Sequence, residues 1–261
     1  MEQPILYKRD GDVATLTINR PRRRNALNWA AQEQFAAAME RLASESALRL
    51  LIITGAGDSA FASGGDLKEL ADHLDQAGGQ RLNATMSDAL AAMTRLPFPV
   101  MAAVNGDAVG GGCEIITACD LRLASPSARF RFAQVQMGLT TGWGGAARLV
   151  RDVGLSRATE LLLTGREIDA DEAKRIGLIQ RLAGPQESAL AAAYRWAADL
   201  LALPAGAQTA LKALLQLAAS RDDAGVRAEE TRYFTSLWGQ PDHLGAMAAF
   251  MNRARNRQER P

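Results

Sequence analysis

Hydrophobic and polar positions form two kinds of strand pattern in the first half of the chain. Residues 14–18 alternate between apolar side chains and threonine, the period-two pattern of a strand buried on one face. Residues 50–54 and 99–104 are largely apolar runs instead, which is typical of strands buried on both faces, and residues 121–124 are the fourth predicted strand. The chain therefore begins with at least four predicted strands.

Between these strands lie segments in which apolar residues recur at helical spacing. Asn28 precedes an apolar stripe within residues 35–42 and is a predicted N-cap, and a second stripe covers residues 82–93. Asp169 followed by Glu172 resembles a capping box at the start of a later helix. Alternation of strand, helix and strand predicts an α/β fold with mainly parallel pairing.

Strand patterns largely end near residue 145. Residues 185–255 are rich in alanine and leucine and are predicted to be helical, with breaks near Pro204 and Pro241. We therefore expect a core domain over residues 1–200 and a helical C-terminal region over residues 201–261.

Composition narrows the classes of function. The 30 Lys and Arg residues nearly balance 29 Asp and Glu residues, so we expect no nucleic-acid partner and no anionic membrane surface. Two cysteines and two histidines make a metal cluster implausible. The N-terminus resembles no signal peptide and no apolar run is long enough to span a bilayer, so we expect a cytoplasmic protein.

Three glycine-rich segments follow the predicted strands, at residues 61–67, 105–114 and 142–145. Glycine at such a junction lets the backbone approach a ligand, and a helix that begins there presents unpaired N–H groups. A tight turn is the more common role of a single glycine triplet, and no phosphate-binding pattern is present. The spacing alone leaves the role of these segments open.

Taken together, these segments resemble the enoyl-CoA hydratase/isomerase family, the crotonase superfamily, over about residues 13–255. The motifs that carry the resemblance are Asn-Arg-Pro at 19–21, Arg-Asn-Ala-Leu at 24–27, Ser-Gly-Gly-Asp at 63–66, Val-Asn-Gly at 104–106, the triplet Gly110–Gly112 and Leu-Leu-Leu-Thr-Gly at 161–165. The resemblance implies a ββα spiral core and a C-terminal region that builds homotrimers or dimers of trimers. It also implies acyl-CoA thioester substrates and no separate cofactor, because coenzyme A is part of the substrate.

The family's oxyanion hole falls on the backbone N–H groups of Gly65 and Gly111. Two preorganised donors suit a thioester enolate, whose charge collects on the carbonyl oxygen. Glu114 occupies the position of the first family glutamate and is predicted to act as a base or to orient the substrate. The second family glutamate is replaced by Gln134, whose amide can bind water but cannot exchange its proton.

The same motifs predict further residues that bind the substrate. Arg24 is a candidate for the phosphates of coenzyme A, although a solvated charge run is an equal alternative. The predicted substrate-binding residues are Arg24, Ala26, Ser63, Gly64, Asp66, Leu67, Lys68, Gly110, Gly142, Trp143, Phe250 and Arg253.

The amide at position 134 favours a reaction with few proton transfers. We therefore expect a lyase that decarboxylates a methylmalonyl- or ethylmalonyl-type CoA, a branch that segments at Trp143 and Trp238 also resemble. The first alternative is a 2-enoyl-CoA hydratase or enoyl-CoA isomerase working through Glu114. The second is a non-catalytic protein that binds CoA or RNA.

Overall fold

The computed structural model describes residues 3–45, 47–70 and 76–219. The chain divides into two compact units, residues 1–200 and 201–261. The predicted substrate residues Phe250 and Arg253, the motif at Trp238 and the break at Pro241 lie outside the described residues.

Two β-sheets organise the first unit. The larger sheet has the order β1-β2-β3-β5-β7-β10, and the smaller one has the order β4-β6-β8-β9. The strands are β1 (Ile5–Asp10), β2 (Val13–Ile18), β3 (Leu50–Gly55), β4 (Ala60–Ala62), β5 (Val100–Val104), β6 (Asp107–Val109), β7 (Leu121–Ala124), β8 (Arg129–Arg131), β9 (Glu167–Asp169) and β10 (Arg181–Leu182). Apart from the antiparallel pairs β1–β2 and β8–β9, all pairs are parallel, which confirms the predicted pairing.

Helices follow most of these strands. Their bounds are α1 (Trp29–Ala43), α2 (Leu67–Leu70), α3 (Gln76–Thr94), α4 (Gly111–Thr117), α5 (Gly145–Val153), α6 (Leu155–Thr164), α7 (Ala170–Arg175), α8 (Ala189–Leu201) and α9 (Ala205–Ala218). The Asn28 carboxamide accepts the N–H of Ala31, and the Asp169 carboxylate accepts that of Glu172, so both predicted caps are confirmed. The predicted break near Pro204 is also confirmed, because α8 ends at Leu201 and α9 begins at Ala205.

A repeated unit carries the chain from one sheet to the other. Each of β3, β5 and β7 is buried in the larger sheet and is followed within a few residues by a short strand of the smaller sheet. The first glycine-rich segment spans the junction between β4 and α2, and the second spans the junction between β6 and α4. The two segments thus reach the same edge of the fold because β4 and β6 pair side by side in parallel.

The expectation that strands largely end near residue 145 was wrong for β9 and β10. Both are only two or three residues long, and they add to sheet edges that earlier strands have already formed. Such short strands are specified by their neighbours rather than by an alternating pattern of their own. Among the described helices, no single one is both long and apolar enough to cross a membrane.

Candidate active site

The loop that carries Gly65 lies against the start of α4, where Gly111 is the first residue. Gly64 adopts φ +86°, a conformation that favours glycine, and a Cβ on it would lie 3.1 Å from the backbone nitrogen of Gly111. The backbone of the first loop is therefore in direct contact with the start of α4, as an oxyanion hole built from both segments requires.

The N–H group of Gly65 is directed by a short parallel bridge. The N–H of Leu27 donates to the Gly64 carbonyl at 2.8 Å, and the N–H of Asp66 donates to the Leu27 carbonyl at 3.0 Å. Successive peptide groups of an extended chain point to opposite sides, so the N–H of Gly65 points away from Leu27. Gly111 opens α4 and has no acceptor within the helix. In the described part of the chain, neither N–H is bonded to an acceptor.

Glu114 is buried, with 2% of its surface exposed, and its carboxylate accepts four N–H groups. Oε2 accepts from the backbone of Trp143 at 2.8 Å and of Gly145 at 2.9 Å. Oε1 accepts from Gln134 Nε2 at 2.9 Å and from the backbone of Gly142 at 3.2 Å. Four converging donors satisfy the oxygen atoms of this carboxyl group, which offsets much of the cost of burying it.

The two carboxylate oxygens of Glu114 are not equivalent. Oε2 is fixed by two backbone donors at the start of α5. Oε1 is held by a side-chain amide, which can rotate, and by the longest of the four contacts. Oε1 is therefore the oxygen that can exchange a partner for a substrate or water proton.

Glycines make room for this arrangement. A Cβ on Gly145 would lie 2.5 Å from Glu114 Cγ, and a Cβ on Gly111 would lie 2.1 Å from ring carbon Cζ3 of Trp143. Trp143 thus connects the two parts of the site, because its N–H binds Glu114 while its buried ring lies on Gly111.

Gln134 presents two different groups to the site. Its Nε2 donates to Glu114, while its Oε1 is buried and has no hydrogen-bond partner among the described residues. The amide must take this orientation, because its oxygen would repel the carboxylate. A buried acceptor that no described protein group satisfies can accept a hydrogen bond from a water or a ligand donor.

Arg20 anchors the first loop, although sequence reasoning assigned it no role of its own. Its Nη1 donates to Asp66 Oδ2 at 2.8 Å and to the Ala26 carbonyl at 2.5 Å. Burial raises the pKa of Asp66, but the hydrogen bond and charge of Arg20 and the N–H groups of Lys68 and Glu69 together leave that pKa below its usual value. The predicted ligand residue Asp66 therefore holds the loop in place.

We expect Asp66→Asn to lower the free energy of unfolding by about 2 kcal/mol at pH 7, since a charge-assisted hydrogen bond is lost. The pKa of Asp66 is lower in the folded than in the unfolded protein, so the carboxylate stabilises the fold above the unfolded pKa of about 3.9 and ceases to do so as pH falls through the folded pKa. Urea unfolding at several pH values should show the full difference at pH 7 and a shrinking one below about pH 4. Asp58→Asn, in an exposed turn, is the control. A difference that does not change with pH would contradict this role.

The remaining predicted substrate residues surround the first loop and the triplet. Arg24 is 55% exposed but its Nη2 pairs with Asp107 Oδ2 at 2.6 Å, so its guanidinium already has an anionic partner. Ser63 is half-buried and Lys68 is exposed. Gly110 precedes α4 with φ +55°, Leu67 begins α2, and Gly142 contributes its N–H to Glu114.

Two polar side chains that hold the Gly142–Gly145 loop were not predicted. Asn83 of α3 donates to the Gly142 carbonyl, and Arg148 of α5 donates to the Trp143 carbonyl. Cys113 is fully buried next to the site, and burial raises the pKa of its thiol to about 12, which makes it a poor nucleophile. Within the described residues, no group of three or more His, Cys, Asp or Glu side chains is placed to hold a metal ion.

A model of the enoyl-CoA hydratase/isomerase family matches residues 8–259. The chain belongs to this family. It is 36% identical over 255 residues to a probable enoyl-CoA hydratase of Rhizobium meliloti, with 95% of each chain covered. It is 33% identical over 245 residues to an ethylmalonyl-CoA decarboxylase of Danio rerio, with 92% of this chain and 80% of that one covered.

Family membership also confirms the fold expected from the motifs. The crystal structure of an enoyl-CoA hydratase from Bacillus anthracis matches with a TM-score of 0.89 at 30% identity, over 96% of this chain and 97% of that one. The α/β spiral core of the enoyl-CoA hydratase/isomerase family is thus the fold of this protein.

Proposed function

We propose that the protein is a 2-enoyl-CoA hydratase in which Glu114 alone carries the transferred proton and Gln134 holds the attacking water. The observation that carries this proposal is the unpartnered, buried Oε1 of Gln134, one amide group away from the Glu114 carboxylate. Two acceptors side by side match the two O–H groups of a water molecule.

The proposed reaction balances with one carboxylate. The water oxygen attacks C3 of the enoyl thioester while Glu114 takes one of the water's protons. The electron pair of the double bond moves toward the thioester, and the enolate oxygen accepts the N–H groups of Gly65 and Gly111. Glu114 then returns the same proton to C2, which yields the 3-hydroxyacyl thioester and restores the carboxylate.

The same two acceptors disfavour the decarboxylation that the sequence alone suggested. A malonyl-type substrate carries its own carboxylate next to the α-carbon, where it would meet the negative charge of Glu114 and the carbonyl oxygen of Gln134. Like charges in a buried site repel strongly. The Glu114 carboxylate and the orientation of the Gln134 amide thus both favour hydration.

Decarboxylation of a branched malonyl-type CoA is the second candidate. Two observations favour it: Gln134 cannot transfer a proton, and a relative named as an ethylmalonyl-CoA decarboxylase is 33% identical over most of the chain. Decarboxylation needs the oxyanion hole and a single final protonation of the enolate.

A panel of substrates separates these functions. The enzyme is given crotonyl-CoA, a 3-enoyl-CoA, methylmalonyl-CoA or ethylmalonyl-CoA, and the products are identified by mass spectrometry. We expect gain of one water by crotonyl-CoA at a far higher kcat/KM than loss of CO₂ from either malonyl-type ester. Fast CO₂ release with negligible hydration would overturn the hydratase proposal in favour of the second candidate.

Replacing Gln134 by methionine removes both the donor to Glu114 and the water acceptor while keeping the side-chain length. A hydrogen bond to a charged group is worth about 1.5–3 kcal/mol, so we expect kcat for crotonyl-CoA to fall about 10–100-fold. The measurement is steady-state kinetics of this variant. Gln136→Met, two residues along the same 3-10 helix, is the control. An unchanged kcat for Gln134→Met would show that Gln134 does not hold the water.

A further inference from the structure

The loop Gly142–Gly145 supplies three of the four donors to Glu114, so the position of the carboxylate depends on this loop. The N–H groups of Gly142, Trp143 and Gly145 reach Glu114, whereas the peptide group that joins Trp143 to Gly144 gives it no hydrogen bond among the described residues. The carbonyl of that peptide group therefore needs a donor of its own.

Arg148 supplies that donor. Its Nη2 donates to the Trp143 carbonyl at 2.5 Å and to the Glu114 backbone carbonyl at 3.3 Å, and its Nε donates to Thr117 Oγ1 at 3.3 Å. One guanidinium thus joins α4, which carries Glu114, to the loop that holds the Glu114 carboxylate.

The neighbouring glycine fits this guanidinium. Gly144 adopts φ +82°, and a Cβ on it would lie 2.8 Å from Arg148 Nη1. The two adjacent glycines therefore serve different groups: Gly144 makes room for Arg148, and Gly145 makes room for the Glu114 side chain.

The burial of Arg148 is difficult to explain by stability alone. Only 9% of its surface is exposed, and burial lowers the pKa of its guanidinium, an effect that the charge of Glu114 opposes. All three hydrogen bonds go to carbonyl or hydroxyl oxygens rather than to a carboxylate. Burying a cation in this way costs several kcal/mol. By contrast, the equally buried Arg122 pairs directly with Asp152, on the last turn of the same helix α5.

We infer that Arg148 is a positioning residue for the reaction, which fixes the loop Gly142–Gly145 so that Glu114 is held in its working position. Its described hydrogen bonds do not reach the Glu114 carboxylate, and it acts through the Trp143 and Glu114 backbone carbonyl groups. The inference rests on Glu114 being the base of the proposed hydratase, but it does not depend on which product that base forms.

The test compares conservative and disruptive changes at Arg148 with a matched change at Arg122. Lysine keeps the charge but loses the planar fork that bonds several oxygens at once, so we expect Arg148→Lys to lower kcat for crotonyl-CoA by about tenfold. Methionine loses both the charge and the planar fork. We therefore expect Arg148→Met to lower kcat by about 10²-fold, the loss that a misplacement of about 1 Å can cause. KM should stay nearly constant, because the thioester contacts Gly65 and Gly111.

Arg122→Lys is the control, because it disturbs a buried arginine of β7, paired with Asp152 at the C-terminal end of α5, and makes no bond to the loop. It should lower the melting temperature but leave kcat unchanged at a temperature where circular dichroism shows every variant folded. A kcat of Arg148→Lys equal to that of wild type, or a similar fall in Arg122→Lys, would overturn the inference. If Arg148→Met does not fold, Arg148→Lys decides by the same criterion.

Exchange of the α-protons of butyryl-CoA in D₂O separates this inference from the hydratase proposal. This exchange needs only a base and an oxyanion hole. A wild-type enzyme that exchanges these protons without hydrating crotonyl-CoA would overturn the hydratase proposal, and the exchange rates of the Arg148 variants would then test Arg148. A wild-type enzyme that does neither would overturn both.

Discussion

Replacing Glu114 by glutamine is expected to lower kcat/KM for crotonyl-CoA by about 10³-fold or more, near the upper part of the range for general acid–base catalysis. The variant keeps the shape of the side chain and loses the ability to take a proton from water and return it to C2. The oxyanion hole is untouched, so binding of the CoA ester should change little. Steady-state kinetics together with a binding measurement for a saturated acyl-CoA checks both expectations.

The variant should fold because the local hydrogen bonds can adjust. The new amide oxygen can accept the N–H groups of Trp143 and Gly145, and the Gln134 amide can rotate to present its oxygen to the new NH₂ group, so that only the long contact from the Gly142 N–H is lost. Glu172→Gln is a suitable control, because this carboxylate is also held by hydrogen bonds, from Arg166, but lies on α7. If Glu114→Gln retained full activity, Glu114 would not be the base.

The second large effect is expected from deleting one oxyanion donor. Gly65→Pro removes the N–H group, and loss of one such donor typically lowers kcat by about 10²–10³. The N–H of Gly65 has no acceptor within the described chain, so no internal hydrogen bond is lost with it. The measurement is kcat for crotonyl-CoA at saturating substrate.

Gly65→Ala provides the matched comparison, because it adds a side-chain carbon but keeps the N–H group. Alanine should therefore retain much more activity than proline, provided circular dichroism shows both variants folded. Equal activities of the two variants would contradict the assignment of Gly65 as a donor, whatever the absolute loss.

The long buried elements could be predicted from the sequence because each has its own pattern. The run at residues 50–54 became β3, and the stripe after Asn28 became α1 with Asn28 as its cap. The strands of the smaller sheet could not be predicted in this way. Strand β6, for example, is three residues long and lies inside a glycine-rich motif, so only its pairing with β4 and β8 makes it a strand.

The candidate site was predictable in part. The motifs pointed to Gly65, Gly111 and Glu114 as candidate site residues, and counting along the chain pointed to Gln134. The direction of the Gln134 amide was not predictable, because it depends on the carboxylate that α4 brings next to it. This direction, together with the Glu114 carboxylate, changed the preferred reaction from decarboxylation to hydration.

Arg148 shows a different limit of sequence reasoning. An arginine in a short helix is normally read as a surface residue, since charged side chains are rarely buried without a partner. The preceding Gly144 was the available signal, because it leaves space that only the folded structure shows to be filled by a guanidinium.

The central claim is that Glu114 and the N–H groups of Gly65 and Gly111 together generate a thioester enolate. NMR of butyryl-CoA in D₂O tests this claim directly, because removal and return of a proton at the α-carbon replaces hydrogen by deuterium without any other change. We predict deuterium incorporation at the α-carbon by the wild-type enzyme and a rate at least about 10²-fold lower for Glu114→Gln. No exchange by the wild type, or equal exchange by the variant, would contradict the account.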